Sequence, residues 1–130
     1  NSPAALLAWP GATAYTAARW ALRGLAEAMR ADLYRTKIRV STVIPGKVSS
    51  SYFANNPGSE ARVPGLAKLL PTLTPEQAAE RMLRAIARDE QFVVFPLGLK
   101  LLYYLHGWLP GLVRWLAVTT GARRPRSGGQ

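Results

Sequence analysis

Three residues near the start of the chain could carry out proton transfer. Ser2 offers a hydroxyl, Tyr15 a phenol thirteen positions later, and Arg19 a permanent cation four residues further on. Residues four apart in a helix project from the same face, so Arg19 should lie beside Tyr15. A neighbouring cation stabilises a phenolate and lowers the pKa of a phenol, which is about 10 in water. The spacing therefore predicts a tyrosine acid/base, with Ser2 holding a substrate oxygen.

This spacing resembles that of the short-chain dehydrogenase/reductase family, whose pattern is serine, twelve residues, tyrosine, three residues and lysine. Arg19 stands where the family has lysine, and residues 10–25 resemble the family's catalytic helix and its approach. The resemblance implies an α/β fold, namely the C-terminal half of a Rossmann-type, doubly wound parallel sheet. It also implies NAD or NADP as cofactor and a small carbonyl or alcohol substrate. Ser2, Tyr15 and Arg19 would then be catalytic, and Tyr15 and Arg19 would also touch the cofactor.

A second similarity follows the β-branched strand predicted at residues 38–44. Residues 45–50 read PGKVSS, and the family carries Pro-Gly, then Val, then Thr two residues later at this place. Without the resemblance, a Pro-Gly step after a strand indicates only a turn. With it, four residues are assigned to the cofactor: Pro45, Gly46, Val48 and Ser50.

Periodicity and turn residues predict the elements that position these groups. Two prolines in residues 3–13 predict a loop, and Thr13 is expected to cap a helix over residues 14–34. We expect most of the apolar stripe of this helix to pack against its own sheet, and the resemblance implies a homo-oligomer through the remainder. The stripe consists of Ala18, Leu22, Leu25, Met29 and Leu33.

Residues 51–73 form a long irregular stretch, which the resemblance identifies as the substrate loop. Tyr52 and Phe53 would give it an apolar lining and favour an apolar substrate; the alternative is that they are core side chains under a loop. The sequence TPEQ at residues 74–77 predicts a helix that continues to Arg88, followed by a short buried strand over residues 91–95. The inward face predicted for this helix consists of Ala79, Met82, Leu83, Ile86 and Ala87.

The remainder departs from the family pattern, so we divide the chain into a family-like part (1–96), an apolar helical extension (97–122) and a basic flexible tail (123–130). Residues 97–118 are apolar nearly all round, but a Pro-Gly break and three ionisable side chains oppose a clean bilayer span. Two interpretations stay open. Two short helices lie on a membrane surface through residues 97–126, or they pack over the substrate entrance or in an oligomer.

Composition limits the partners. The chain has no cysteine, which excludes disulfides and thiolate metal sites and suits the cytoplasm, and its one histidine has no partner for a metal site. Lysine and arginine outnumber aspartate and glutamate by 17 to 7, giving a net charge of +10 that favours anionic partners. The basic residues are scattered rather than gathered in one stripe, so we do not expect nucleic-acid binding.

No Gly-rich phosphate turn occurs in the sequence, and the resemblance covers only the second half of a family member. We therefore expect the sequence to be part of a longer oxidoreductase and to be inactive by itself. Arg19 supports an alternative, a catalytically impaired protein of this fold that acts as a membrane-surface or interaction module.

Overall fold

The structure, a computed structural model, describes residues 1–121; the predicted basic tail at 123–130 lies outside this range. The chain forms five α-helices and two strands within it, joined by segments that include three short 3-10 turns. In chain order the helices and strands are α1 (Thr13–Asp32), β1 (Thr42–Pro45), α2 (Tyr52–Asn55), α3 (Pro75–Ala87), β2 (Phe92–Phe95), α4 (Leu97–Trp108) and α5 (Pro110–Thr120). The 3-10 turns are Pro3–Ala5, Glu60–Arg62 and Gly65–Leu69.

The two strands form a parallel sheet in which Thr42 pairs with Phe92 and Pro45 with Phe95. Parallel strands need a crossover connection, and α3 lies in that connection. The β1–α3–β2 unit confirms the predicted α/β fold class. On the other edge of β1, the backbone nitrogen of Asn1 donates to the Val43 carbonyl at 2.7 Å, which fixes the segment before Pro3 against the sheet.

Both faces of the small sheet are covered. On one face, Ile44 and Val94 pack with residues 5–7 and with Leu99 and Val113 of the last two helices. On the opposite face, Val93 and Phe95 of β2 pack against alanines of α3. Covering on both faces is usual for parallel sheets, whose strands are apolar on both sides.

The segment predicted as a loop at residues 3–13 supplies part of the core. Ser2 caps the 3-10 turn that begins at Pro3, and Ala4, Ala5, Leu6 and Leu7 behind it are buried. The prolines correctly predict the absence of a long helix. They give no indication that the short apolar run between them packs under the sheet.

The predicted orientation of α1 is wrong. No residue of α1 is buried, and the side chains of Leu22, Leu25 and Met29 in the apolar stripe are 47%, 56% and 42% exposed. The face of α1 that points inward lies about a quarter-turn from this stripe. It carries Arg23 and Arg30, whose guanidinium groups donate to the backbone carbonyls of Ala5 and Val40. The predicted cap is also wrong, because Thr13 is the first helical residue and Ala12 before it has no capping side chain.

The start of α3 agrees with the sequence. The Thr74 hydroxyl accepts from the Gln77 amide, and the Gln77 side chain accepts from the Thr74 amide, which completes the predicted capping box. Its predicted inward face is wrong. Ala78 and Ala85 are buried against β2, whereas the predicted set of Ala79, Met82, Leu83, Ile86 and Ala87 is exposed.

One further difference concerns β1, whereas the last segment agrees with the sequence. The strand begins at Thr42 rather than at Ile38, which is 59% exposed and lies before the point where β2 pairs. The apolar segment from residue 97 forms the two helices predicted, separated at Leu109. No helix in the described part of the chain has the length and apolar character required to cross a bilayer.

We predict that Gly46→Ala destabilises the protein by about 1–3 kcal/mol. A Cβ at this position would lie 2.8 Å from Cδ of Pro96, a ring atom that cannot rotate away. The matched control is Gly24→Ala in α1, where a Cβ meets nothing within 4 Å and should stabilise the helix by roughly 0.5–1 kcal/mol. Urea unfolding measures the change in stability of both variants. Equal changes in the two variants would contradict the close packing of Gly46 against Pro96.

The Arg81–Glu90 ion pair predicts an acid-dependent loss of stability. The two side chains form a paired contact with distances of 2.7 and 3.3 Å. Hydrogen bonding from Arg81 lowers the pKa of Glu90 below its ordinary value of 4.5. The contribution of the pair is therefore present above about pH 4.5 and disappears as the pH falls through the lowered pKa.

Unfolding curves of wild type and Glu90→Gln should accordingly differ near neutral pH and converge in acid. Glu80→Gln is the control, because its partner Arg84 lies one turn away on the exposed surface of the same helix. A difference between wild type and Glu90→Gln that stays constant down to strongly acid pH would contradict this assignment.

Candidate active site

The first turns of α1 bring Tyr15 and Arg19 together. Both side chains are half-buried, and the guanidinium carbon of Arg19 lies 4.7 Å from the centroid of the Tyr15 ring. The cation therefore lies against the phenol ring, as the four-residue spacing predicts. Nε of Arg19 is buried and has no hydrogen-bond partner among the described residues. It is a donor that a ligand oxygen could use.

The segment that holds Ser2 is joined to α1 through the neighbouring residue Asn1. The Asn1 side-chain amide donates to the Arg19 carbonyl at 3.1 Å, while the Asn1 backbone nitrogen is bonded to β1. The Ser2 hydroxyl oxygen accepts from the Ala4 amide at 3.3 Å. A hydroxyl that accepts from an amide still has its own proton to donate. The Asn1–Arg19 bond thus places the segment that holds Ser2 beside α1, and the Ser2 hydroxyl proton remains available to donate.

Tyr52, at the start of α2, adds a second phenol to the site. Partial burial and the neighbouring Tyr15 phenol raise the pKa of Tyr52 above its ordinary value of 10.0, against an opposing effect of Arg19. Tyr52 therefore stays protonated near neutral pH and can donate a hydrogen bond. Its ring contacts Phe53 edge to face, with centroids 5.3 Å apart. The two residues predicted to touch the substrate lie together, and one of them borders Tyr15.

The predicted cofactor segment follows β1 directly. The Gly46 amide donates to the Phe95 carbonyl at 2.7 Å, and Val48 forms an isolated parallel bridge with Leu73. The Ser50 hydroxyl accepts from the Tyr52 amide at 3.4 Å. Pro45, Gly46, Val48 and Ser50 therefore form the connection between the carboxyl end of β1 and the helix that carries Tyr52. Ligands of open α/β sheets bind at this end of the strands.

Lys47 lies inside the predicted cofactor segment, and the sequence did not indicate its contacts. Its ammonium forms an ion pair with Glu60 at 2.6 Å and lies 5.2 Å from the centroid of the Phe53 ring. It therefore connects the predicted cofactor segment (45–50) to the predicted substrate loop (51–73). Glu60 is thirteen residues downstream in an irregular stretch, so no helical or strand period could have paired the two charges.

A separate cavity lies away from these groups. Its volume is about 730 Å³, and it is lined by the end of α1 and by residues next to the amino ends of the strands, among them Arg30, Tyr34 and Gln91. Because Gln91 precedes β2, this cavity is at the opposite end of the sheet from Pro45 and is not the predicted site. Among residues 1–121, no cluster of three or more histidine, aspartate or glutamate side chains could hold a metal ion.

The comparisons with known proteins cover these same residues. The profile of the family described as short chain dehydrogenase matches residues 1–60, a range that contains every predicted site residue from Ser2 to Phe53. Over 110 residues the chain is 30% identical to the dehydrogenase/reductase SDR family protein 7-like of Drosophila melanogaster and 28% identical to the protein of that name from Anopheles gambiae. It is 29% identical over 110 residues to the uncharacterized oxidoreductase YbbO of Escherichia coli K12.

These matches cover 82%, 82% and 76% of this chain but 34%, 35% and 38% of the relatives. The chain thus spans about a third of the length of the curated relatives it matches. No solved structure matches it significantly.

The parallel β1–α3–β2 unit, with a tyrosine helix on one side and a Pro-Gly turn at the strand end, is the arrangement of a Rossmann-type α/β protein. With the matches above, the chain belongs to the short-chain dehydrogenase/reductase family.

Proposed function

We propose that this chain carries the proton-transfer site of an NAD(P)-dependent oxidoreductase that interconverts a carbonyl compound and an alcohol. The observation that supports it is the arrangement around Tyr15. A guanidinium lies over its ring, a second phenol borders it, and the segment that holds Ser2 is bonded to the same turn of α1. Relatives that match this region bear the names of dehydrogenases, reductases and oxidoreductases.

Each residue has a distinct role in the proposed reaction. In the reducing direction, Tyr15 gives its phenolic proton to the substrate oxygen, and Ser2 donates a hydrogen bond to the same oxygen. Arg19 stabilises the phenolate that remains; being always charged, it does not itself pass on a proton. The nicotinamide, when bound, supplies or accepts the hydride.

The residues present suit a nicotinamide nucleotide on the side that faces the reacting atoms. The buried, unpartnered Nε of Arg19 could donate to a ribose oxygen, and Tyr15 lies beside it. The segment 45–50 would line the nicotinamide end of the crevice at the carboxyl end of β1. Tyr52 and Phe53 would contact the substrate, and their aromatic rings favour a substrate with an apolar body.

The test is nucleotide binding followed by turnover. The complete protein is titrated with NADH and with NADPH while nicotinamide fluorescence is followed, and a panel of apolar aldehydes, ketones and alcohols is then assayed by nicotinamide absorbance. We expect one of the two nucleotides to bind and at least one apolar substrate to turn over. Failure of both nucleotides to bind would contradict the proposal. Binding without turnover would instead support the catalytically impaired module.

We predict that Arg19→Lys raises turnover several-fold in the complete protein. A lysine ammonium is a compact donor that can reach the phenol and a ribose oxygen, whereas the planar guanidinium of Arg19 lies over the ring. Arg35→Lys, the same exchange beyond the end of α1, is the control and should leave the rate unchanged. Unchanged or lower activity of Arg19→Lys would refute this interpretation of Arg19.

A further inference from the structure

Helix α4 has apolar side chains on two opposite faces. Leu99 is buried in the core, and Leu102 and Tyr103 pack beside it. The opposite face contains five large apolar side chains that are 39% to 85% exposed: Leu97, Leu101, Tyr104, Leu105 and Trp108. By helical geometry these five fall on one stripe, about half a turn from Leu99. One face of α4 therefore packs in the core, and the opposite apolar face is exposed.

Helix α5 repeats this arrangement. Val113 and Ala117 are buried, and they lie one turn apart on the inward face. Leu112, Trp115 and Val118 on the other side are 44%, 59% and 48% exposed. Two consecutive helices thus each turn an apolar, tryptophan-containing face away from the body. We call these two faces the outer surface of α4 and α5.

The charges that α4 and α5 themselves carry are of one sign, and the carboxylate near Lys100, that of Glu90, is already paired with Arg81 at 2.7 Å. No aspartate or glutamate occurs from residue 91 to residue 130, whereas Lys100, Arg114 and the arginines at 123, 124 and 126 do. Lys100 and Arg114 are exposed, and each lies at the border between the inward and outward faces of its helix. An apolar protein face bordered by cations is complementary to a bilayer surface, in which anionic headgroups cover an apolar acyl region.

We propose that the outer surface of α4 and α5 binds the surface of a lipid bilayer that contains anionic headgroups. The leucines would enter the boundary of the acyl region, Trp108 and Trp115 would lie at headgroup depth, and Lys100 and Arg114 would meet lipid phosphates. A second copy of the chain is a poorer partner, because a two-fold contact through this surface would bring like charges together. The inference does not depend on the proposed oxidoreductase activity.

The test measures co-flotation of the complete protein with vesicles of phosphatidylcholine alone and of phosphatidylcholine mixed with phosphatidylglycerol. We expect partitioning onto the mixed vesicles that weakens with added salt, together with a blue shift of tryptophan emission. Trp108→Ala and Trp115→Ala should each weaken partitioning roughly tenfold. Lys100→Gln and Arg114→Gln should each weaken it ~5-fold on the mixed vesicles.

The control is Tyr34→Ala, which removes an aromatic side chain that is 81% exposed but lies beyond α1, and it should leave partitioning unchanged. Failure to float with either vesicle, or equal losses in Trp108→Ala and Tyr34→Ala, would overturn the proposal. Equal binding to neutral and mixed vesicles would overturn the role of the cations. Self-association that Trp108→Ala abolishes, without vesicle binding, would assign the surface to a second copy of the chain instead.

Discussion

Tyr15→Phe is expected to lower turnover by roughly 10²–10⁴-fold while nicotinamide nucleotide binding is retained. The exchange removes one oxygen and keeps the ring on which the Arg19 guanidinium lies. Packing of the first turns of α1 should therefore stay intact. What is lost is the group that in the proposed reaction donates the proton to the substrate oxygen, and with it the phenolate that Arg19 would stabilise.

Two tyrosines serve as controls for this exchange. Tyr34→Phe changes a phenol that is 81% exposed and distant from the site, so turnover should match wild type. Tyr52→Phe removes the phenol that borders Tyr15, and it should mainly raise KM because we assign Tyr52 to the substrate. A loss of less than about tenfold in Tyr15→Phe, measured at saturating substrate, would remove Tyr15 from proton transfer.

The part of the site that the sequence could predict is local. Tyr15 and Arg19 are one turn apart on one helix, so their contact follows from helical geometry alone. The neighbourhood of Tyr15 and Tyr52 and the Lys47–Glu60 ion pair depend instead on how an irregular loop folds back over the helix. No periodicity encodes such a contact. The resemblance assigned Tyr52 to the substrate but gave no indication that it borders the Tyr15 phenol.

The fold shows the same division between local and distant information. Turn and cap residues placed the start of α3 correctly, because a capping box involves only four consecutive residues. The structure turns a face other than the predicted apolar stripe inward in both helices, about a quarter-turn away in α1 and about a third of a turn away in α3. Periodicity identifies an apolar face and cannot tell which neighbour covers it. The alanines of α3 lie inward because β2 packs against them, and the arginines of α1 lie inward because backbone carbonyls accept their hydrogen bonds.

Arg30→Ala should lower the free energy of unfolding by about 2–4 kcal/mol. This is the largest stability loss that we expect from replacing a single charged residue. The Arg30 side chain is only 13% exposed, although arginine seldom faces inward. Its guanidinium donates to the Val40 carbonyl at 2.9 Å, the Gln91 carbonyl at 2.5 Å and the hydroxyl of buried Thr42 at 2.6 Å. One side chain thus joins the end of α1 to the segments that lead into both strands.

Truncation at this position leaves the Val40 carbonyl and the hydroxyl of buried Thr42 without their charged donor, and the desolvation of these two groups dominates the cost, since the Gln91 carbonyl still accepts from the Thr42 amide at 2.8 Å. Arg30→Lys should recover only part of it, because a single ammonium cannot span acceptors that the guanidinium fork reaches together. Arg39→Ala is the matched control, since its ion pair with Asp89 is more than half exposed on both sides and should contribute at most about 1 kcal/mol. Urea unfolding of the three variants measures the difference, and an Arg30→Ala loss no larger than that of Arg39→Ala would show that α1 is held to the strands by other contacts.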